Sequence, residues 1–173
     1  MPDEPYVCRQ PWNDARPRIL VLACSDGRLQ ENLDEFLNAR GIRHYDRLFV
    51  PGGPGALASS GFELLRLDQL RRETKFLIEA HGVEDLYLIF HGASENGPQV
   101  ACCADYKRKL PGVESNEIND VQERDVSELE RLFAWPTHLR LHIFRAEVGD
   151  DERVRFVPLR ECAANSTDLT EAN

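Results

Sequence analysis

Two short apolar runs, Ile19-Leu20-Val21-Leu22-Ala23 and Leu86-Tyr87-Leu88-Ile89-Phe90, constrain this chain more than any other feature. Both read as strands, and each ends at once in residues that carry chemistry. Cys24-Ser25-Asp26-Gly27-Arg28 follows the first run, and His91-Gly92 follows the second. Leu29–Leu37 reads as a helix, so a thiol, a carboxylate and a guanidinium sit together where a strand hands over to a helix. Ligands of open α/β sheets bind in the crevice beyond the carboxyl ends of the strands. A Cys and a His at two such ends can converge on one metal ion, with the Asp26–Arg28 pair beside it.

The rest of the pattern alternates in the same way. Residues 1–17, with Pro2, Pro5, Pro11 and Pro17, read as an extended arm that Tyr6 and Trp12 pin to a partner subunit or to the chain's own core. The first strand is Arg18–Cys24, and its helix runs from Arg28 to Arg40, ended by Gly41. A short strand at Asp46–Val50 leads into the turn Pro51-Gly52-Gly53-Pro54-Gly55. A helix over Phe62–His81 shows an apolar stripe of Leu64, Leu65, Leu67, Leu70, Phe76, Leu77 and Ile78. Gly92–Pro98 reads as a loop, Pro98–Lys109 as a helix, and 113–124 as an acidic, exposed stretch. A helix over Val126–Trp135, capped by Ser127 or Asp125, precedes a strand at Leu139–Phe144 and a short edge strand at Arg153–Val157. The expectation is one α/β domain over residues 18–162, a mostly parallel central sheet flanked by helices, with residues 163–173 a disordered tail.

With 173 residues the chain is long enough for one real core. Its 21 basic and 30 acidic residues leave a net charge of −9, which speaks against nucleic acid and anionic membrane surfaces as partners. No apolar stretch reaches the length of a membrane span. The acidic, Pro-rich start Met1-Pro2-Asp3-Glu4-Pro5 is unlike a signal peptide, so the expected location is cytoplasmic. Five cysteines in a reducing compartment favour metal binding or catalysis over a disulfide framework. Gly52, Gly53 and Gly55 do not form a nucleotide loop, since no Gly-Lys-Ser/Thr follows them.

Cys24-Ser25-Asp26-Gly27-Arg28, followed by the helix–strand–His unit Phe76–His91-Gly92, resembles the β-class carbonic anhydrases, whose members carry Cys-x-Asp-x-Arg after the first strand and His-x-x-Cys after a later one. The resemblance covers about residues 18–160. It departs from the family at two places. Three residues after His91 stands Ser94, and the next cysteines are Cys102 and Cys103. Cys103-Ala104-Asp105-Tyr106 is similar to the Cys-Gly-Ala-Tyr of a divergent branch of the family, so Cys103, or else its neighbour Cys102, takes the third ligand role. The second departure is Pro51–Gly55, where family members often carry an Arg-Asn-Ala-Gly-like turn bordering the substrate pocket.

The resemblance implies a Zn²⁺ cofactor held by Cys24, His91 and Cys103 (or Cys102), with Asp26 and Arg28 catalytic and Gly52 and Gly53 at the substrate pocket. Catalytic zinc sites hold thiolate and imidazole ligands and leave one position open. Asp26 either fills that position or pairs with Arg28, whose planar fork suits a carboxylate. The implied activity is reversible hydration of carbon dioxide to bicarbonate, a lyase reaction. Two alternatives stand beside it: a catalytically silent relative with a binding or regulatory role, and a hydrolase of carbonyl sulfide or carbon disulfide. His44 or His81 would relay the released proton if either lies near the pocket. The resemblance also implies a homodimer or higher homo-oligomer embraced by the N-terminal arm.

Overall fold

The computed structural model describes residues 5–60, 63–134 and 138–160. Along the chain run β1 (Ile19–Cys24), α1 (Gln30–Ala39), β2 (Asp46–Val50), α2 (Leu64–His81), β3 (Asp85–Ala93), α3 (Ala104–Lys109), α4 (Ser115–Leu132), β4 (Arg140–Val148) and β5 (Val154–Pro158). The five strands form one sheet of order β2-β1-β3-β4-β5. The first four are parallel, and β5 returns antiparallel to β4. This is the expected α/β architecture, a mostly parallel sheet flanked by helices.

The order places a switch point in the middle of the sheet. From β1 the chain steps one way to β2 and then back past β1 to β3. Right-handed crossovers in opposite directions put the two connecting helices on opposite faces. Leu33 and Leu37 of α1 pack with Val21, Ala23, Tyr87 and Ile89 on one face. Leu70 and Ile78 of α2 pack with Leu20, Leu22, Leu86 and Leu88 on the other, joined there by Ile118, Val126 and Leu129 of α4. Alternate residues of β1 and β3 thus feed two cores, as the period-2 geometry of strands requires. The crevice at the switch point lies between the carboxyl ends of β1 and β3, where Cys24 and His91 stand.

Several elements differ from expectation. Residues 113–124 are not an exposed stretch: they belong to α4, an 18-residue helix that buries Ser115, Ile118, Val121, Gln122, Asp125, Val126 and Leu129. The stripe keeps helical spacing, but polar residues occupy three of its seven positions and hide the apolar period. Its cap is Glu114, in a reciprocal capping box with Glu117, so Ser127 and Asp125 lie inside the helix. The expected helix over Pro98–Lys109 is a 3-10 turn at Gln99–Ala101 followed by the short α3, broken at Cys102 and Cys103, which are extended with ψ of 140° and 121°. His91 and Gly92 lie within β3, which runs on to Ala93. The apolar stripe of α2 is narrower than expected, because Leu64, Leu65 and Phe76 are 68%, 89% and 64% exposed. Tyr6 and Trp12 are also exposed and do not pin the arm to the chain's own core. Residues 163–173, Phe62 and Trp135 lie outside the described residues.

Candidate metal centre

Cys24 ends β1, His91 sits near the end of β3, and Cys103 stands immediately before α3. One ligand atom from each lies within 4.8 Å of the other two. Cys103 and His91 are buried and Cys24 is half-buried. The extended backbone between the adjacent cysteines turns them apart. Cys103 faces Cys24, whereas Cys102 is buried against Ser115, its Sγ 2.9 Å from the Ser115 hydroxyl.

The donor set fits a borderline-soft cation. A carbonyl can only accept, so the 3.2 Å contact between His91 Nδ1 and the Ala101 carbonyl fixes the ring proton on Nδ1. Nε2 is then a lone-pair donor, and it is buried with no hydrogen-bond partner. Orphaned buried nitrogens are rare and call for a partner. A carbonyl holding the far nitrogen of the imidazole is also how metal-ligating histidines are oriented.

The two thiols share their protons unequally. A hydrogen bond from Cys103 is the largest influence on Cys24 and lowers its pKa to about 4; the Gly52 N–H acts the same way, against the opposing effect of burial. Cys103 is pushed up from its ordinary value, first by that same hydrogen bond to the Cys24 thiolate and then by burial. The pair is therefore a thiolate with a neighbouring thiol, and a metal bound by both sulfurs would displace the remaining proton.

Asp26 is not a member of the ligand group. It pairs with Arg28: Arg28 Nη2 donates to Oδ2 at 2.5 Å, Nε to Oδ1 at 2.9 Å, and the Arg28 backbone N–H to Oδ1 at 3.1 Å. Arg28 Nη1 donates to the Val100 carbonyl at 3.1 Å, which ties the pair to the turn before Cys103. Hydrogen bonds from Arg28 hold the Asp26 carboxyl down at about 2, so it is ionised at neutral pH.

The Pro51–Gly55 turn packs behind Cys24. Gly52 has φ of +88°, and a Cβ on it would meet Asp105 Oδ2 at 2.3 Å. A Cβ on Gly53 would meet the Cys24 backbone nitrogen at 2.8 Å. The glycines permit backbone to lie against backbone, which lets the Gly52 N–H reach the Cys24 sulfur. Both are buried. Behind them, the fully buried Tyr106 hydroxyl donates to Asp125 of α4, and Lys109 Nζ donates to the Gly55 carbonyl at 2.8 Å. This buried support was not legible in the sequence: Asp105, Tyr106 and Lys109 lie on α3 and Asp125 on α4, and the likeness of Cys103-Ala104-Asp105-Tyr106 to the family motif speaks only for the cysteine.

The expected proton relays lie elsewhere. His81 Nδ1 is 2.8 Å from Asp46 at the start of β2, and His44 is exposed just before that strand. Asp46 pairs with Leu20 while Val50 pairs with Cys24, so this end of the sheet is ~13 Å from the centre.

Two cavities meet at the centre and share Asp26, Leu29 and His91. One, of about 230 Å³, lies on the α1 side among Leu33, Phe49, Ile89, Ala146 and Phe156. The other, of about 620 Å³, is lined by Arg28, Asn32, Glu35, Glu152 and Arg153.

No family model matches the chain, and no curated protein matches it. Solved structures similar to it are β-carbonic anhydrases. Isoform I from Trichomonas vaginalis is 14% identical with a TM-score of 0.49, covering 86% of this chain and 87% of its own. The carbonic anhydrase of Streptococcus mutans is 20% identical with a TM-score of 0.45, covering 82% of each chain. CafA of Aspergillus fumigatus is 15% identical with a TM-score of 0.46, covering 84% of this chain and 77% of its own.

Proposed function

We propose that this chain is a zinc enzyme of the carbonic-anhydrase type, converting CO₂ and water reversibly to bicarbonate and a proton. The observation that carries this reading is the Cys24–His91–Cys103 triad, two of its members buried and Cys24 half-buried, with an unpartnered His91 Nε2 and an Arg-bound carboxylate beside it. Cys103 supplies the sulfur that the altered motif after His91 lacks, which weighs against the silent relative. Cys24, His91 and Cys103 would hold the ion and leave a fourth position open. When bound, zinc supplies a Lewis acid that makes water nucleophilic near neutral pH. Arg28 holds Asp26 ionised and fixed in direction. Asp26 in turn offers a lone pair that orients water at the site, so that attack starts from a prepared geometry. The Val100 carbonyl holds Arg28, and through it Asp26, in register with the turn that carries Cys103.

The proposed molecule acts as a homodimer or higher homo-oligomer in the cytoplasm, its exposed arm seated on a partner copy. No helix among the described residues is long and apolar enough to cross a membrane. Metal content tests the proposal. Wild type and Cys102→Ser should each carry one zinc per chain, Cys103→Ser should lose it, and CO₂ hydration should follow the metal. A wild-type protein purified without chelators that holds no metal overturns the enzyme reading. Loss of zinc in Cys102→Ser alone overturns the ligand assignment.

A further inference from the structure

The Pro51–Gly55 turn and α3 come to the centre from distant parts of the chain, and each acts on one sulfur. The Gly52 N–H acts on Cys24, and the backbone N–H groups of Asp105 and Tyr106 act on Cys103. The separation of the two thiols therefore follows how the turn sits against α3. Asp105 is where the two segments meet. Its carboxylate is buried and lies so close to Gly52 that a Cβ on the glycine would stand 2.3 Å from Oδ2.

Three cations converge on that carboxylate, and they hold different things. Arg66 of α2 donates from Nη1 to Asp105 Oδ1 at 3.4 Å and from Nη2 to the Pro51 carbonyl at 2.5 Å. Lys109 Nζ is 3.5 Å from Asp105 Oδ2 and donates to the Gly55 carbonyl at 2.8 Å. Arg66 and Lys109 thus grip the two ends of the turn while they grip α3. Arg108 also donates to Asp105 Oδ1, at 2.8 Å, but its second bond goes to Glu63, which lies outside the turn. None of these groups belongs to the Cys24–His91–Cys103 set. Ligands held in place before an ion arrives bind it more tightly, and outer groups that fix them carry part of the affinity.

We infer that the Arg66–Asp105 pair positions the metal centre: it clamps the Pro51–Gly55 turn to α3 and so holds the Cys24 and Cys103 sulfurs at the spacing one ion requires. This rests on the reading of Cys24 and Cys103 as ligands of a zinc hydratase. It assigns part of the metal affinity to an ion pair that touches no metal.

Arg66→Gln and Arg108→Gln form a matched pair for the test. Each removes one charge and one bond to Asp105 Oδ1, and only Arg66 also holds the turn. Both side chains are partly exposed and line a cavity of about 140 Å³, so both variants should fold. In metal-free, nitrogen-15-labelled protein, the Gly52 amide proton should resonate downfield in wild type and in Arg108→Gln, and lose that shift in Arg66→Gln. Competition with a chelator should show zinc bound about ten-fold or more weakly by Arg66→Gln, and within about two-fold of wild type by Arg108→Gln. A wild-type Gly52 resonance or a wild-type zinc affinity in Arg66→Gln overturns the inference. So does an equal loss in both variants, which would make charge the cause and not the clamp. A chain that binds zinc in this pattern without hydrating CO₂ overturns the hydratase reading and leaves the clamp standing. A chain that takes up no zinc overturns the hydratase reading too, and the Gly52 resonance then decides on the clamp alone.

Discussion

A side chain at position 52 would have to occupy the space of the Asp105 carboxylate while adopting a left-handed backbone. Gly52→Ala should therefore destabilise the fold by about 2 kcal/mol or more. It should also weaken zinc binding at least ten-fold, because the Gly52 N–H could no longer reach Cys24. Gly27 is the matched control: a Cβ there meets nothing within 4 Å, so Gly27→Ala should leave the denaturation midpoint unchanged or slightly raised. Chemical denaturation and zinc titration of both variants check this, and equal effects would show that the turn does not position the thiolate. The same scale explains which residues of the candidate site could be read in advance. Cys24, Asp26, Arg28 and His91 are legible because each sits next to an apolar run, and the strand end alone carries it to the crevice. The choice between Cys103 and Cys102 was not legible, since it depends on an extended backbone where helical periodicity was expected.

Elements were legible where one face alone is buried or where a strand is wholly apolar. β1, β2, α1 and β3 fall in this group, and with them the switch point that defines the site. α4 was missed over its first half because Ser115, Gln122 and Asp125 lie on its buried stripe, and each is retained by a specific bond rather than by transfer out of water. Ser115 bonds Cys102 and Gln99, Gln122 Nε2 donates to the His91 carbonyl at 3.0 Å, and Asp125 accepts from Tyr106 and from Ser60. Hydropathy reads these residues as surface, yet they brace the second layer of the centre. The two descriptions predict different energetics. If α4 packs as described, Ile118→Ala should cost ~2–5 kcal/mol, since Ile118 is fully buried. Asp120→Ala, on the exposed side of the same helix, should stay within ~0.5 kcal/mol. Urea denaturation of the pair decides, and a mild Ile118→Ala would return this segment to the surface.

At the scale of the whole molecule, a chain with nine more acidic than basic charges holds many of its carboxylates in place with arginine. Arg28 lowers Asp26 to about 2, Arg155 lowers Asp151 to about 2, Arg108 and Arg66 lower Glu63 to about 2, and Arg140 lowers Asp85 from its ordinary value. A carboxyl whose pKa is lower in the folded chain binds fewer protons there than in the unfolded chain, so its stabilisation is present above the unfolded value near 4 and is lost as pH falls through the folded value. Each exposed pair contributes little, but the four act in the same direction over the same window. The thermal midpoint of the metal-free protein should thus fall gradually from neutral pH to about 4, where the Cys24 thiol is protonated in the unfolded chain alone, and more steeply between about pH 4 and 2, where the carboxylates add to it. Added salt should blunt the exposed pairs Glu63–Arg108 and Asp151–Arg155 more than the less exposed Asp26 carboxylate. Calorimetry across that range checks the sign and the window, and Asp26→Asn gives the site its own readout. If the Arg28 pair acts as described, the variant loses midpoint relative to wild type at pH 7, and the gap narrows as pH falls through about 2, where Asp26 takes up its proton in the folded chain as well. A constant offset at every pH would mean that the pair contributes through packing and not through charge.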